Sequence, residues 1–188
     1  MAHNPRKARD HALLDAIDGF ERIDFSKPVW RVARESRDPL QGGRSPSRWC
    51  IGTFDVLYTS LERDGALAEV YDLLSSQPVW PSKMKTFVHS VSVRMSEVLR
   101  IPDLKTLSTL GVDLSRYRER EYSRTQEIAD AAYFLGFTGI IVPSARWQCS
   151  NLIVFTDRVP PSDIHIIETE DSPIDLRRWR ETLDTKKA

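Results

Sequence analysis

Residues 42–71, GGRSPSRWCIGTFDVLYTSLERDGALAEVY, hold an arginine-bearing loop, a short strand and a helix in immediate succession. Gly42, Gly43 and Pro46 break any regular pattern and set the loop. Over 54–60 (FDVLYTS), Val56 and Tyr58 point to one face and Leu57 and Thr59 to the other, which predicts a strand. From about residue 62 to residue 74, Leu67, Val70, Tyr71 and Leu74 recur at helical spacing, and Leu73 widens the stripe. Glu69 lies on the flank of that stripe. Arg44 and Arg48 on the loop, Tyr58 on the strand and Glu69 on the helix therefore place a cation, an aromatic hydroxyl and a carboxylate on consecutive elements that can close around one pocket.

Upstream, the loop continues through 35–47, with Arg34, Arg37, Arg44 and Arg48 at or near its borders against Glu35 and Asp38. Glycines let a backbone approach closely, and guanidinium forks match phosphate oxygens. Taken by itself, the same composition reads first as a solvated surface loop. Residues 28–33 (PVWRVA) are a strand carrying Arg31, for which solvent-facing and pocket-facing readings balance. Ala12, Leu13, Ala16, Ile17 and Phe20 predict a helix over 8–20, with its end at Gly19.

Downstream, 86–95 (TFVHSVSVRM) alternates as a half-buried strand, with His89 as a hydrogen-bonded residue at the core edge, and 98–101 reads as a separate short strand before Pro102. A short helical turn fits 104–112. The run 115–124 (SRYREREYSR) mixes charges with Tyr117 and Tyr122, and its acids and shortness favour a solvated surface over nucleic-acid binding. Ser123 and Gln126 form a capping-box pattern for a helix running to Leu135 and stopped by Gly136. Residues 139–142 (GIIV) and 151–155 (NLIVF) are buried strands joined by the loop 143–150, and 163–168 alternates like an edge strand. Ser172, with Pro173 at the first position, is expected to cap a last helix, and 185–188 to fray. The fold class is α+β: one domain with a mixed β core and peripheral helices.

The totals agree with a single globular domain: 188 residues, 40% apolar and 29% charged. Zero formal net charge gives no broad footprint for nucleic acid. No run approaches the roughly eighteen apolar residues of a membrane span. Asp10, Asp15 and Asp18 interrupt any signal-peptide core, so a cytoplasmic protein is expected. Cys50 and Cys149 form no CxxC pair and read as free thiols, and His3, His11, His89 and His165 are too scattered for a metal site.

Four pieces in this order resemble the RES domain, the toxin component of a bacterial toxin–antitoxin family: WRVAR at 30–34, SRWCIGTFDVLYTS at 47–60, ALAEV at 66–70 and VPSARWQCSNLIVF at 142–155. The resemblance spans roughly 28–160. It implies a division into an N-terminal helical extension (1–27), the RES domain (28–160), and a C-terminal strand and helix (161–188) packing on the same domain. The family is named for an arginine, a glutamate and a serine, matched here by Arg48, Glu69 and Ser144, with Tyr58 as a fourth member. The family often runs Gly-Gly-Arg-Trp without a break. In this sequence Ser45-Pro46-Ser47 separates Gly42-Gly43-Arg44 from Arg48-Trp49, and Cys50 stands where asparagine is common. Arg48 is the first choice because Trp49 follows it and Tyr58 lies at the familiar distance; Arg44 is the second. Ser150 is the alternative to Ser144.

The resemblance implies an ADP-ribosyltransferase-like fold and NAD as substrate, with no metal. The implied activity is cleavage of the nicotinamide–ribose bond by hydrolysis or phosphorolysis, or transfer of ADP-ribose to a protein. Glu69 would stabilise the cation that develops on the ribose. Arg48 would bind the pyrophosphate or a ribose hydroxyl, with Arg31 and Arg44 as further cations for the dinucleotide. Tyr58 would stack on the nicotinamide or bond a ribose, and Ser144 would orient the nicotinamide or Glu69. The implied partner is an antitoxin with an Xre/Cro-like helix-turn-helix domain and a tail that plugs the site; a homodimer is left open. The rival reading is a non-catalytic RES-like module that binds a nucleotide or a partner.

Overall fold

The structure, a computed structural model, describes residues 8–186. Helix α1 (His11–Asp18) leads into the long strand β1 (Arg22–Arg34), and the arginine loop then gives way to β2 (Val56–Ser60) and α2 (Arg63–Ser75). There follow β3 (Thr86–Arg100), α3 (Leu104–Thr109), α4 (Ser123–Phe134), β4 (Gly139–Pro143), β5 (Ser150–Phe155), β6 (Ile164–Thr169) and α5 (Leu176–Lys186).

Strand β3 is the spine of the sheet. One edge pairs antiparallel with β1, from Arg22 opposite Leu99 to Arg34 opposite Thr86. The other edge is shared: β6 runs antiparallel to residues 89–93, and β4 runs parallel to residues 98–100. From β4 the ladder continues through β5 to β2, both antiparallel, and β2 returns to β1 at the Trp30–Ser60 pair. Five strands thus close on themselves, with β6 appended. Strands β4 and β5 are buried on both faces. Ile140, Val142, Ile153 and Phe155 pack with α1 and α4, whereas Ile141, Leu152 and Val154 pack with Val29, Leu57 and Val91 on the other side. That double burial is why both read as unbroken apolar runs. A smaller cluster, Leu67, Leu74, Val88 and Leu176, joins α2 and α5 to the sheet.

The α+β expectation holds, with corrections at element ends. The strands expected at 86–95 and 98–101 are one. Glu97 adopts a positive φ of 60° between the stretches paired with β6 and β4, and its carbonyl accepts from Thr138 N. This kink lets one strand serve two partners, and it is what interrupts the alternation in the sequence. Strand β1 begins at Arg22, six residues before the expected start, because 22–27 already pairs with β3. The capping box at Ser123 does not form: the Ser123 hydroxyl turns to the Glu121 carboxylate, and Gln126 reaches away to Ser47 O (2.8 Å) and Cys50 O (3.3 Å). The last helix is capped by Asp175, whose Oδ1 accepts from Arg177 N (3.0 Å) and Arg178 N (3.1 Å), so Ser172 and Pro173 precede it. Helix α5 runs to Lys186, so 185–186 are helical; the rest of the expected tail, 187–188, lies outside the described residues. Gly136 ends α4 as expected, at φ +92°, with Phe137 N closing on Ala132 O. Cys50 and Cys149 are free. Among the described residues no helix is long and apolar enough to cross a membrane.

Candidate active site

Helix α2 is held hard against the sheet by the absence of a side chain at Gly65. A Cβ there would collide with Ser60 Oγ and Cys149 Sγ. Gly65, Ala66, Leu67 and Ala68 are buried, and Glu69 emerges half-buried at the edge of that contact, in the wall of a cavity of about 350 Å3. Two donors converge on one carboxylate oxygen: Ser144 Oγ and Asn151 Nδ2 each lie 2.7 Å from Glu69 Oε1. No described residue donates to Oε2. Ser144 is itself fixed, since its hydroxyl accepts from Arg146 N (3.0 Å) and Trp147 N (3.2 Å) in a Ser-turn. Asn151 is 1% exposed on β5, and its Oδ1 finds no partner among the described residues. The carboxylate is therefore aimed by two rigid supports, and its second oxygen is left for a ligand.

Arg48 and Trp49 sit at a tight turn in which Ser47 and Cys50 exchange backbone hydrogen bonds and Gln126 clamps both carbonyls. Adjacent residues then part company. Trp49 is wholly buried in the core, while Arg48, 7% exposed, forms part of the cavity wall. The Arg48 guanidinium lies 4.8 Å from the ring centres of both Tyr117 and Tyr122, and its Nη2 donates to Glu119 O at 3.1 Å. Its Nη1 is buried without a partner among the described residues. Arg31, which also lines the cavity, donates from Nη1 to Tyr58 O (2.7 Å), and its Nε is buried without a partner among the described residues. Burial, and then neighbouring Arg37, pulls the Arg31 guanidinium down to about 10, so it stays charged at neutral pH at a desolvation cost that an anion would offset. Tyr58 lines the cavity, and burial followed by the Glu69 charge pushes its phenol well above the usual range. The phenol therefore remains a neutral donor. Arg44 points elsewhere: it is exposed, and its Nε pairs with Asp55 Oδ1 at 3.1 Å. Gly43 bonds in both directions to Val56, which anchors the loop and sends Arg44 to the outside.

A model of the RES domain matches residues 28–177, from within β1 to the first turn of α5. The chain belongs to the RES domain family. Among curated relatives, it is 32% identical over 167 residues to a probable NAD(+) phosphorylase, Rv3189, of Mycobacterium tuberculosis (strain ATCC 25618 / H37Rv), covering 86% of this chain and 80% of that protein. It is 23% identical over 171 residues to the NAD(+) phosphorylase MbcT of Mycobacterium bovis (strain ATCC BAA-935 / AF2122/97), covering 87% and 92%. The crystal structure of the M. tuberculosis MbcT–MbcA toxin–antitoxin complex contains a chain of the same fold, with a TM-score of 0.78, 22% identity, and coverage of 93% of this chain and 98% of that one.

In this RES domain, Arg31, Arg48, Tyr58 and Glu69 line one cavity, and Ser144 bonds to Glu69 from behind. Arg44 does not line it, and Ser150 serves in the β4–β5 ladder opposite Pro143. The run 115–124 is solvated over most of its length, as expected, and its Arg120 and Tyr122 also form a rim along the RES pocket. Tyr117 donates to Pro143 O (2.6 Å), Arg146 Nη1 to Arg118 O (2.5 Å) and Arg120 Nη2 to Asp72 O (3.3 Å). Tyr117, Tyr122, Asp72, Arg120, Arg146 and Asn151, which the structure sets in or beside the candidate site, were not singled out from the sequence. Asn151 did leave a signal, being the one buried polar residue at the head of an apolar strand that is buried on both faces. The others left none beyond tyrosines interleaved with charges.

Proposed function

We propose that this RES domain is an NAD(+) phosphorylase, which breaks the bond between nicotinamide and ribose and passes the ADP-ribosyl group to inorganic phosphate. The observation that carries this reading is the Glu69 carboxylate, fixed on one oxygen by Ser144 and Asn151 and open on the other, in a cleft lined by arginines. The relatives named NAD(+) phosphorylases support it. As nicotinamide leaves with the bonding electron pair, positive charge grows on the ribose carbon. Glu69 supplies a preorganised negative charge there, worth most because it needs no reorganisation. Arg48 and Arg31 hold the pyrophosphate, using the donors Nη1 and Nε that are buried without partners. Tyr58, kept as a neutral phenol, stacks on the nicotinamide ring or donates to a ribose hydroxyl. Ser144 acts through Glu69, which it orients.

The chain acts as the toxin of a toxin–antitoxin pair in the cytoplasm, where it draws on the NAD pool. Its partner is an antitoxin with a helix-turn-helix domain that covers the pocket. Expression of the protein alone in a bacterial host is expected to stop growth as cellular NAD falls, and Glu69→Ala to relieve both. Growth arrest at an unchanged NAD level would contradict the reading.

The tight contact at Gly65 gives a second expected outcome. Gly65→Ala pushes α2, and Glu69 with it, away from the sheet. A shift of about 1 Å in a reacting group can cost about a hundredfold in rate, so NAD turnover is expected to fall by at least about tenfold. Adding Cys149→Ala removes one of the two colliding atoms and should restore part of the loss, read as kcat for the single and double variants.

A further inference from the structure

Among the described residues, five arginines line the cavity, Arg31, Arg37, Arg48, Arg120 and Arg146, against two acids, Glu69 and Asp72. They fall into two groups. Arg31, Arg37 and Arg48 belong to β1 and the arginine loop. Arg120 and Arg146 come from the rim and the β4–β5 loop, and they converge on Asp72. Arg146 Nε lies 3.1 Å and Arg120 Nη2 3.3 Å from the same oxygen, Asp72 Oδ2. Two guanidiniums on one carboxylate oxygen leave an uncompensated positive charge in a half-enclosed site. Such an arrangement favours a further oxyanion.

The placement of this pair on α2 is informative. Asp72 follows Glu69 by three residues, so the two carboxylates lie on the same helix face, about 5–6 Å apart at Cβ. An anion gathered by Arg120 and Arg146 therefore sits one helical turn from the carboxylate that faces the ribose. The charge balance points the same way. The lining carries three more positive than negative charges. NAD brings a net charge of only one negative, because its nicotinamide ring is positive. A bound hydrogen phosphate dianion brings the total to neutrality.

We propose that Arg120 and Arg146 form the subsite for the attacking inorganic phosphate, with Asp72 holding both guanidiniums in place until phosphate displaces it. This inference rests on the phosphorylase reading and names the residues that select phosphate over water. In the step it serves, a phosphate oxygen bonds to the ribose carbon while the bond from that carbon to the nicotinamide nitrogen breaks. The electron pair goes to the ring nitrogen, which becomes neutral. The proton of hydrogen phosphate stays on the new ester and is then lost to solvent. Nothing is oxidised or reduced.

The three side chains make predictions of opposite sign. Arg120→Ala, at an exposed position, and Arg146→Gln are each expected to raise the KM for inorganic phosphate by at least about tenfold while the KM for NAD moves by less than about twofold. The product of both variants should shift from ADP-ribose 1″-phosphate towards ADP-ribose. Asp72→Asn frees the two guanidiniums from their internal competitor and should lower the phosphate KM several-fold. A cluster that only braces the rim would raise it or leave it alone. A phosphate KM unchanged in Arg120→Ala, a rise in the NAD KM instead, or a phosphate KM unchanged or raised in Asp72→Asn each overturns the proposal. Calorimetric titration of the unmodified protein and of Arg120→Ala with inorganic phosphate alone separates the two levels of the argument. Weaker binding by the variant supports the subsite even if NAD is not cleaved, and equal binding rejects it even if NAD is.

Discussion

Replacing Glu69 by glutamine is expected to lower NAD turnover by about a hundred- to a thousandfold while the protein stays folded. The change removes one charge and no volume. The amide oxygen of glutamine can still accept from Ser144 Oγ and Asn151 Nδ2, so the supports that now meet at Oε1 keep a partner. What disappears is the negative charge that the proposed reaction sets beside the ribose carbon, where only the transition state depends on it. The loss should accordingly appear in kcat, with the KM for NAD nearly unchanged and the same melting temperature to within a few degrees. A loss smaller than about tenfold would mean that the reacting carbon does not sit beside this carboxylate.

The second large effect separates two arginines four residues apart. Arg48→Ala is expected to reduce NAD cleavage by at least about a hundredfold, because it removes the guanidinium proposed to hold the pyrophosphate, whose buried Nη1 has no partner among the described residues. It should also destabilise the protein by about 2–4 kcal/mol, since two ring contacts, a hydrogen bond to Glu119 O and a buried side chain are lost together. Arg44→Ala removes only an exposed pair with Asp55 and should leave both turnover and melting temperature as they were. Side-by-side turnover assays and thermal melts decide the matter. If Arg44→Ala is the inactive variant, the three-residue interruption after Arg44 has been read the wrong way round.

Local pattern was enough to place most of what surrounds the site. The alternation in 54–60, the helical stripe after it and the apolar runs 139–142 and 151–155 correspond to β2, α2, β4 and β5 with ends shifted by a residue or two. These segments are dictated by burial, which leaves a periodic trace. Glu97 left no such trace. A strand that changes neighbours half-way looks in one dimension like two strands, because its kink depends on partners far away in the sequence. Ser123 and Ser172 failed as caps for a related reason. Both have the right side chain, but Glu121 captured the first hydroxyl and Asp175 stands closer to the start of α5 than the second.

The candidate site divides along the same line. The resemblance of four spaced pieces to the RES domain points to Glu69, Arg48, Tyr58 and Ser144; the fold brings the first three to one cavity and sets Ser144 behind Glu69. Arg48 lines the cavity and Arg44 does not: backbone bonds between Gly43 and Val56 turn Arg44 outward, and Gln126 clamps the turn behind Arg48. Neither contact has a periodicity to reveal it. The rim of the pocket was the least legible part. Its charges alternate in sign like any solvated segment, and only the arrival of Arg48 between Tyr117 and Tyr122, with Asp72 opposite Arg120, gives it a place in the site.

The most direct test is the identity of the product. Purified protein, free of any antitoxin, is incubated with NAD in the presence and absence of inorganic phosphate, and the products are resolved by mass spectrometry. Nicotinamide and ADP-ribose 1″-phosphate are expected in equal amounts, at a rate that rises with phosphate and collapses in Glu69→Gln. Intact NAD under all conditions, or ADP-ribose alone at saturating phosphate, would contradict the phosphorylase reading.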